Sequence, residues 1–317
     1  MTLSSRRPTS ARLLLLATTL ALPGSVSAQV ASAPAPTPYE IINSAAETSE
    51  ISAQPLRGGV VLLQGSGGNM AVLSSPQGLL MVDAGIALSE DKLEAKLHEI
   101  GPGPIRFLIN THWHWDHTDG NVWVQRDGAI IVGQANTAKH LTESIRVVEW
   151  GHTFTPLPAS GRIALMIRDE MIMAFGGDEL RLRYYGPSHT DGDISAYFTK
   201  ADILLTGDTW WNGLYPFIDY VAGGSIDGMI GAANANLEMA GQRTIVVPGH
   251  GPTGGRAALQ EYRDMLVTIR SNVAALKSQG MTLDQVIAAR PTAAFDAKWG
   301  QSLIGPELFT RLVYRGV

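Results

Sequence analysis

From Ile51 onward, short apolar runs alternate with segments of helical spacing. "GGVVLLQG" (58–65) and "NMAVLSS" (69–75) read as strands joined by a glycine-rich turn, and "GLLMVDAG" (78–85) as a buried strand ending at Asp83. "SEDKLEAKLHEI" (89–100) repeats apolar positions at helical intervals, with Ser89 placed to cap it. "IRFLINTH" and "IIVGQ" are the next strands, with a helix from about Asn136. Short alternating runs such as "ELRLRYY" suit hairpins, and "ISAYFTKADILLTGD" reads as two strands around a Lys200–Ala201 turn. "SIDGMIGAANANLEMA" is helical, "TIVVPGH" is a strand, and residues 255–280 form a long amphipathic helix. Strands alternating with helices in both halves predict an α/β protein, an αββα sandwich with sheets inside and helices outside.

The first 50 residues break this rhythm. Arg6, Arg7 and Arg12 lead into the apolar run "LLLLATTLAL", and "VSAQ" offers a small-residue cleavage site after Ala28. This layout predicts a signal peptide over 1–28, and hence a periplasmic or secreted protein. The run is too short to span a membrane comfortably, and no later run is long enough, so no stable membrane insertion is expected. Residues 29–50, rich in Ala, Pro and Ser, read as a linker or loose arm, leaving 51–317 as the folded domain.

The full chain carries a net charge of −5, and removing residues 1–28 takes away arginines but no acid. An acidic chain lacks the basic face that phosphate contacts need, so nucleic acid is not an expected partner. The composition says nothing about oligomeric state. The chain has no cysteine, so any metal site must be built from nitrogen and oxygen donors, without thiolate zinc or iron–sulfur chemistry.

That matters because "HWHWDH" crowds His112, His114, Asp116 and His117 into six positions, in a chain with 8 histidines. Crowded imidazoles repel when protonated but, as neutral bases, cage a cation. The same design recurs where apolar strands stop at His189 ("YYGPSH"), Asp208 ("ILLTGD") and His250 ("IVVPGH"). Strand ends gathered at one edge of a sandwich bring such side chains together. Seven donors exceed the needs of one tetrahedral ion, and two ions about 3.5–4 Å apart with an open bridging position make a hydrolytic centre. His98, His140 and His152 match no such position and read as surface or supporting groups. "GSGGN" and "AFGG" lack the spacing of a phosphate loop and read as turns.

With "HWHWDH" followed by His189, Asp208 and His250, the sequence resembles the metallo-β-lactamase superfamily over residues 55 to 275. The resemblance implies that His112, His114 and His189 hold a first zinc, Asp116, His117 and His250 a second, and that Asp208 bridges. Asp83 matches a structural aspartate near the site. Asp116, holding the second metal, would also orient the attacking water. The best-known zinc β-lactamases have cysteine where Asp208 stands and a basic residue where His117 stands. The Asp/His pair here is typical of glyoxalase II-like hydrolases and lactonases. Another β-lactamase branch has a serine in the bridging region, and in that register Thr209 takes its place.

The resemblance implies two zinc ions per chain; iron and manganese suit the same donors. Diiron redox members carry glutamate at the position of His114, whereas mononuclear iron dioxygenases keep the histidine. The reaction expected is attack of an activated water on the carbonyl C–N or C–O bond of a small molecule, a β-lactam among the candidates. A lactonase or thioesterase, and a non-hydrolytic or iron redox protein, are the alternatives. Trp113, Trp115, Trp210 and Trp211 flank the ligands; some must enter the core, and one or two are expected to wall the pocket. No lysine or arginine occurs between Asp208 and Arg243, the interval where cysteine-type zinc β-lactamases place a lysine for the drug's carboxylate.

Overall fold

The computed structural model describes residues 1–2, 35–126 and 128–317, so the signal-peptide expectation for 1–28 lies outside the described residues apart from Met1 and Thr2. The first sheet has seven strands. In spatial order they are β1 (Ser52–Pro55), β2 (Val60–Gln64), β3 (Met70–Ser75), β4 (Gly78–Val82), β5 (Ile105–Ile109), β6 (Ile130–Gln134) and β9 (Leu165–Ile167). A separate hairpin, β7 (Ile145–Val147) and β8 (His152–Phe154), precedes β9 in the chain. The second sheet orders β10 (Glu170–Phe175), β11 (Asp178–Tyr184), β12 (Ile194–Phe198), β13 (Ile203–Leu205) and β14 (Ile245–Val247). Pairing is antiparallel from β1 to β4 and from β10 to β13, and parallel from β4 through β5 and β6 to β9 and between β13 and β14.

The alternation within β4 shows how the layers form. All five residues are buried, Leu80 and Val82 in the apolar layer between the sheets and Leu79 and Met81 in the layer under the helices. A strand apolar on both faces has to lie inside a sandwich. Leu62, Leu73, Ile109 and Val132 meet Leu182, Ala196, Phe198, Ile203 and Leu205 in the inner layer. The outer faces are covered by α2 (Glu90–Ile100) on one side, and by α6 (Ile226–Met239) and α7 (Arg256–Ser278) on the other. The fold is therefore the αββα sandwich that the pattern predicts.

Short helices α3 (Trp115–Thr118), α4 (Asn121–Arg126) and α5 (Ala135–His140) follow β5 and β6. Beyond α7 lie α8 (Leu283–Ala288), α9 (Asp296–Trp299) and α10 (Pro306–Arg315).

Two local expectations change. Within the expected loose arm, Pro38–Thr48 is a helix, α1, that packs on the domain with Ala46 fully buried. Its start is a capping box: Thr37 Oγ1 accepts from Glu40 N, and the Glu40 carboxylate accepts from Thr37 N at 2.7 Å. Ser89 does sit at the N-cap of α2, but its hydroxyl donates to the Ala46 carbonyl of α1 instead of capping. Acidic Glu90 and Asp91 in the first turn of α2 favour that helix end.

The topology sends the ends of β4, β5, β11, β13 and β14 to one edge, because β4 is parallel to β5 and β13 to β14. Asn69, at the end of the β2–β3 turn, ties this edge together. It donates to the carbonyls of Pro248 and Gly251 at 2.9 Å each and accepts from Gln64 Nε2 at 2.8 Å. Asn69→Ala would strand buried carbonyls, at a cost of about 1–3 kcal/mol. A lower urea midpoint at unchanged slope is expected; an unchanged midpoint contradicts this role.

Candidate metal centre

The site begins at a residue with unusual backbone. Asp83 follows β4 with φ at 60°, a left-handed conformation that aspartate tolerates better than most residues. Its carboxylate is thereby turned onto the β5 loop. Oδ1 accepts from Thr111 N, and Oδ2 from Thr111 Oγ1 and from His117 Nδ1, each at 2.8 Å. The Thr111 hydroxyl has one hydrogen, which goes to Asp83. It therefore accepts from His112 Nδ1 at 3.1 Å.

These contacts fix the tautomers. With Nδ1 donating, His112 turns a bare, buried Nε2 inward that has no hydrogen-bond partner among the described residues, and His117 turns its Nε2 toward Asp208 Oδ1 at 3.2 Å. His189 Nδ1 donates to the Phe217 carbonyl at 2.8 Å, which bares its Nε2. His114 Nε2 donates to Asp219 Oδ2 at 3.0 Å, which bares its Nδ1. The His189 Nε2 and His114 Nδ1 lone pairs then face each other at 2.9 Å, an arrangement that a cation relieves.

Asp208 lies between the two groups. Its Oδ2 is 3.4 Å from His189 Nε2 and 3.3 Å from His250 Nε2, and its Oδ1 is 3.2 Å from His117 Nε2. Asp116 Oδ2 is 3.3 Å from His250 Nε2. The donor atoms fall into two compact sets, His112, His114, His189 with Asp208, and Asp116, His117 with His250, each within 4.8 Å. All seven residues expected from the sequence are thus brought together.

Electrostatics point the same way. Burial drives His112 well below the ordinary imidazole range and His189 down to about 4, so both are neutral bases. Burial also pushes His117 and His250 down, but Asp208 and Asp116 outweigh it and raise both, with Asp83 adding to the effect on His117. For Asp208, burial is outweighed by His250, His117, His112 and His189, which hold its carboxyl well below the usual range. The pocket demands positive charge, and its orphaned nitrogens, with an orphaned Asp208 Oδ1, offer lone pairs to receive it. The donor set fits divalent metal ions.

Thr209 does not share the position of Asp208. Its hydroxyl donates to the Thr206 carbonyl at 2.8 Å and accepts from Asn236 Nδ2 at 3.0 Å, toward α6. The tryptophans divide. Trp115 and Trp211 line the cavity over Asp116, Asp208 and His250. Trp210 is fully buried in the core, and Trp113 lines a neighbouring cavity with His140 and His152. Neither of these two walls the metal pocket: Trp210 is extended, so it and Trp211 face opposite ways, and Trp115 belongs to α3 while Trp113 precedes it.

Several supporting residues escape sequence reading. Asp219 orients His114 from an irregular loop with no periodic signal. Gly68 and Gly249 clear space: a Cβ on Gly68 would lie 2.3 Å from the His117 ring, and one on Gly249 would lie 1.9 Å from Asp208 Oδ1. "GSGGN" is indeed a turn, but one that borders the metal ligands.

The model of the metallo-beta-lactamase superfamily matches residues 63–250. A linear primary-alkylsulfatase of Pseudomonas sp. is 21% identical over 68% of this chain, and a hydroxyacylglutathione hydrolase of Rhodospirillum rubrum 28% identical over 59%. The matches cover 48% and 62% of those relatives, so the chain spans about half of the first and under two thirds of the second. Among solved structures, a metallo-beta-lactamase from Pontibacter korlensis superposes with a TM-score of 0.55 at 20% identity, covering 69% of this chain and 99% of that one.

Removing the carboxylate that touches both donor sets should cost more than removing its neighbour. Asp208→Ala is expected to lose at least one metal equivalent, and Thr209→Ala to change metal affinity by about tenfold or less. Elemental analysis of both variants decides, and the reverse order overturns the assignment.

Proposed function

The chain belongs to the metallo-β-lactamase superfamily, a family of metal-dependent hydrolases, and we propose that it is a dinuclear zinc hydrolase cleaving a carbonyl C–N or C–O bond in a small molecule. The observation that carries this reading is Asp208, whose two oxygens reach His189, His250 and His117 at 3.2–3.4 Å, midway between the donor sets. His112, His114 and His189 would hold one ion and Asp116, His117 and His250 the other, with Asp208 shared. Nitrogen and oxygen donors suit zinc, iron and manganese alike, and His114, where diiron members carry glutamate, favours zinc. A bound pair of ions supplies Lewis acidity and an activated water at neutral pH.

The chain's own groups do the rest. Asp116 lines the cavity and accepts a hydrogen from the attacking water, which sets its direction. Asp83, Asp219 and the Phe217 carbonyl lock His117, His114 and His189, so the donors need no reorganisation as charge develops. Trp115 and Trp211 exclude bulk water beside the reacting carbonyl. The likeness to the hydroxyacylglutathione hydrolase supports a second reading, a thioester or lactone as the bond cleaved.

A hydrolysis screen separates these readings. Zinc-loaded protein is expected to cleave at least one of nitrocefin, an acyl-homoserine lactone and an acyl thioester. Chelation should abolish turnover, and zinc should restore it. Two metal equivalents without turnover on any amide, lactone, ester or thioester, or one tightly held iron, would refute the reading.

A site outside the cytoplasm is proposed on the arginines and apolar run of residues 1–28. N-terminal sequencing of the cell-expressed product should begin near Gln29; an intact Met1 in the cytosolic fraction contradicts export.

A further inference from the structure

The cavity over Asp208 and His250 has an uncharged far wall. Beyond the metal-type residues its wall is formed by Ile42, Trp150, Trp211, Leu214, Ser302 and Leu303, with no lysine or arginine among the described residues. Two parts of this wall lie outside residues 63–250, the part of the chain that the superfamily model matches. Ile42 comes from α1. Leu303 comes from the loop between α9 and α10 and is 46% exposed.

Both parts are held in place. The Ile42 carbonyl accepts from Ser66 Oγ at 2.7 Å, and Tyr39 of α1 stacks on His152 with ring centroids 3.6 Å apart. The loop is anchored where the Trp299 carbonyl accepts from Tyr215 N at 2.8 Å, and where Gln301 Nε2 donates to the Asp296 carbonyl at 2.8 Å. Trp150 packs edge-on against Trp115 at 5.5 Å and against Phe217 at 5.0 Å, which closes the side of the slot.

We propose that Ile42, Trp150, Leu214 and Leu303 form a specificity slot for an uncharged apolar group on the substrate, and that this slot rejects substrates with an anionic group at that end. The inference rests on the hydrolase reading and names the substrate class for it. A carboxylate or sulfate pushed into the slot would lose its hydration and meet no side-chain cation, a cost that an alkyl or aryl group escapes. The whole cavity, its metal-ligand end included, holds about 180 Å³, which sets an upper bound on the slot. A cavity of about 150 Å³ accommodates benzene, so the slot suits a group of at most roughly six carbons. Each methylene it takes in contributes about fourfold to binding.

The test uses zinc-loaded full chain with 4-nitrophenyl esters. kcat/KM should rise about fourfold per methylene from acetate to hexanoate and then level off. The hemisuccinate ester, with its carboxylate at the far end, should fall at least tenfold below the butyrate. Leu303→Lys places a cation at an exposed position of the wall and should narrow the butyrate-to-hemisuccinate ratio of kcat/KM at least fivefold. Equal or faster cleavage of the hemisuccinate ester, or no response to Leu303→Lys, overturns the slot.

If no ester is cleaved, the hydrolase reading is decided by the wider screen of amide, lactone and thioester, and binding decides the slot separately. Trp115, Trp150 and Trp211 report occupancy by fluorescence, so hexanamide should quench at a concentration at least tenfold lower than hexane-1-sulfonate. The opposite order, or no quenching by either, overturns the slot whatever the esters do.

Discussion

The structure depends on one electrostatic constraint. His112, His114, Asp116, His117, His189 and Asp208 are all buried beside His250 at one edge of the sandwich. Buried imidazoles and carboxylates with unmatched lone pairs are costly, and the cost is lifted only by charge of the opposite sign held at good geometry. Proton sharing answers part of the demand, as the raised His117 and His250 and the depressed Asp208 show. It does not relieve the facing lone pairs of His114 and His189, or give a partner to the inward nitrogen of His112. Divalent ions meet both needs at once, and the surrounding hydrogen bonds are arranged for that outcome.

The sandwich supplies the rigidity this requires. Strands buried on both faces end together at the edge. The strained Asp83 converts the end of β4 into a clamp on two elements of the β5 loop, Thr111 and His117. Asn69 joins the β2–β3 turn to the loop carrying His250, so the two sheets present their donors in fixed register. Gly68 and Gly249 matter for what they lack, since a methyl group at either would intrude on a donor.

Much of this was legible in the sequence, for a physical reason. Apolar strands that stop at His or Asp carry both the fold and the ligands, so periodicity and chemistry were read from the same residues. The position of Asp208 followed from the uninterrupted "ILLTGD" run, but it and Thr209 lie in a tight 3-10 turn, Gly207–Thr209, and the bonds of Thr209 to the Thr206 carbonyl and Asn236 turn it away from the donors. The alternating faces of an extended segment decide that Trp211 lines the pocket while Trp210 enters the core, but sequence cannot fix their phase past the end of a strand. Asp219 was missed because its role depends on a loop meeting His114 from 105 residues away. Helix α1 was missed although Thr37 and Glu40 spell a capping box, because the Ala, Pro and Ser around them imitate a linker. That helix matters to function, since Ile42 closes the slot over the site.

The central claim is that Asp208 is shared by two metal ions. Anomalous diffraction at the zinc edge from crystals of the zinc-loaded protein tests it directly. The account predicts two peaks about 3.5–4 Å apart, one among His112, His114 and His189 and the other among Asp116, His117 and His250, with Asp208 reaching both. A single peak, or two peaks with Asp208 bound to neither, would contradict it.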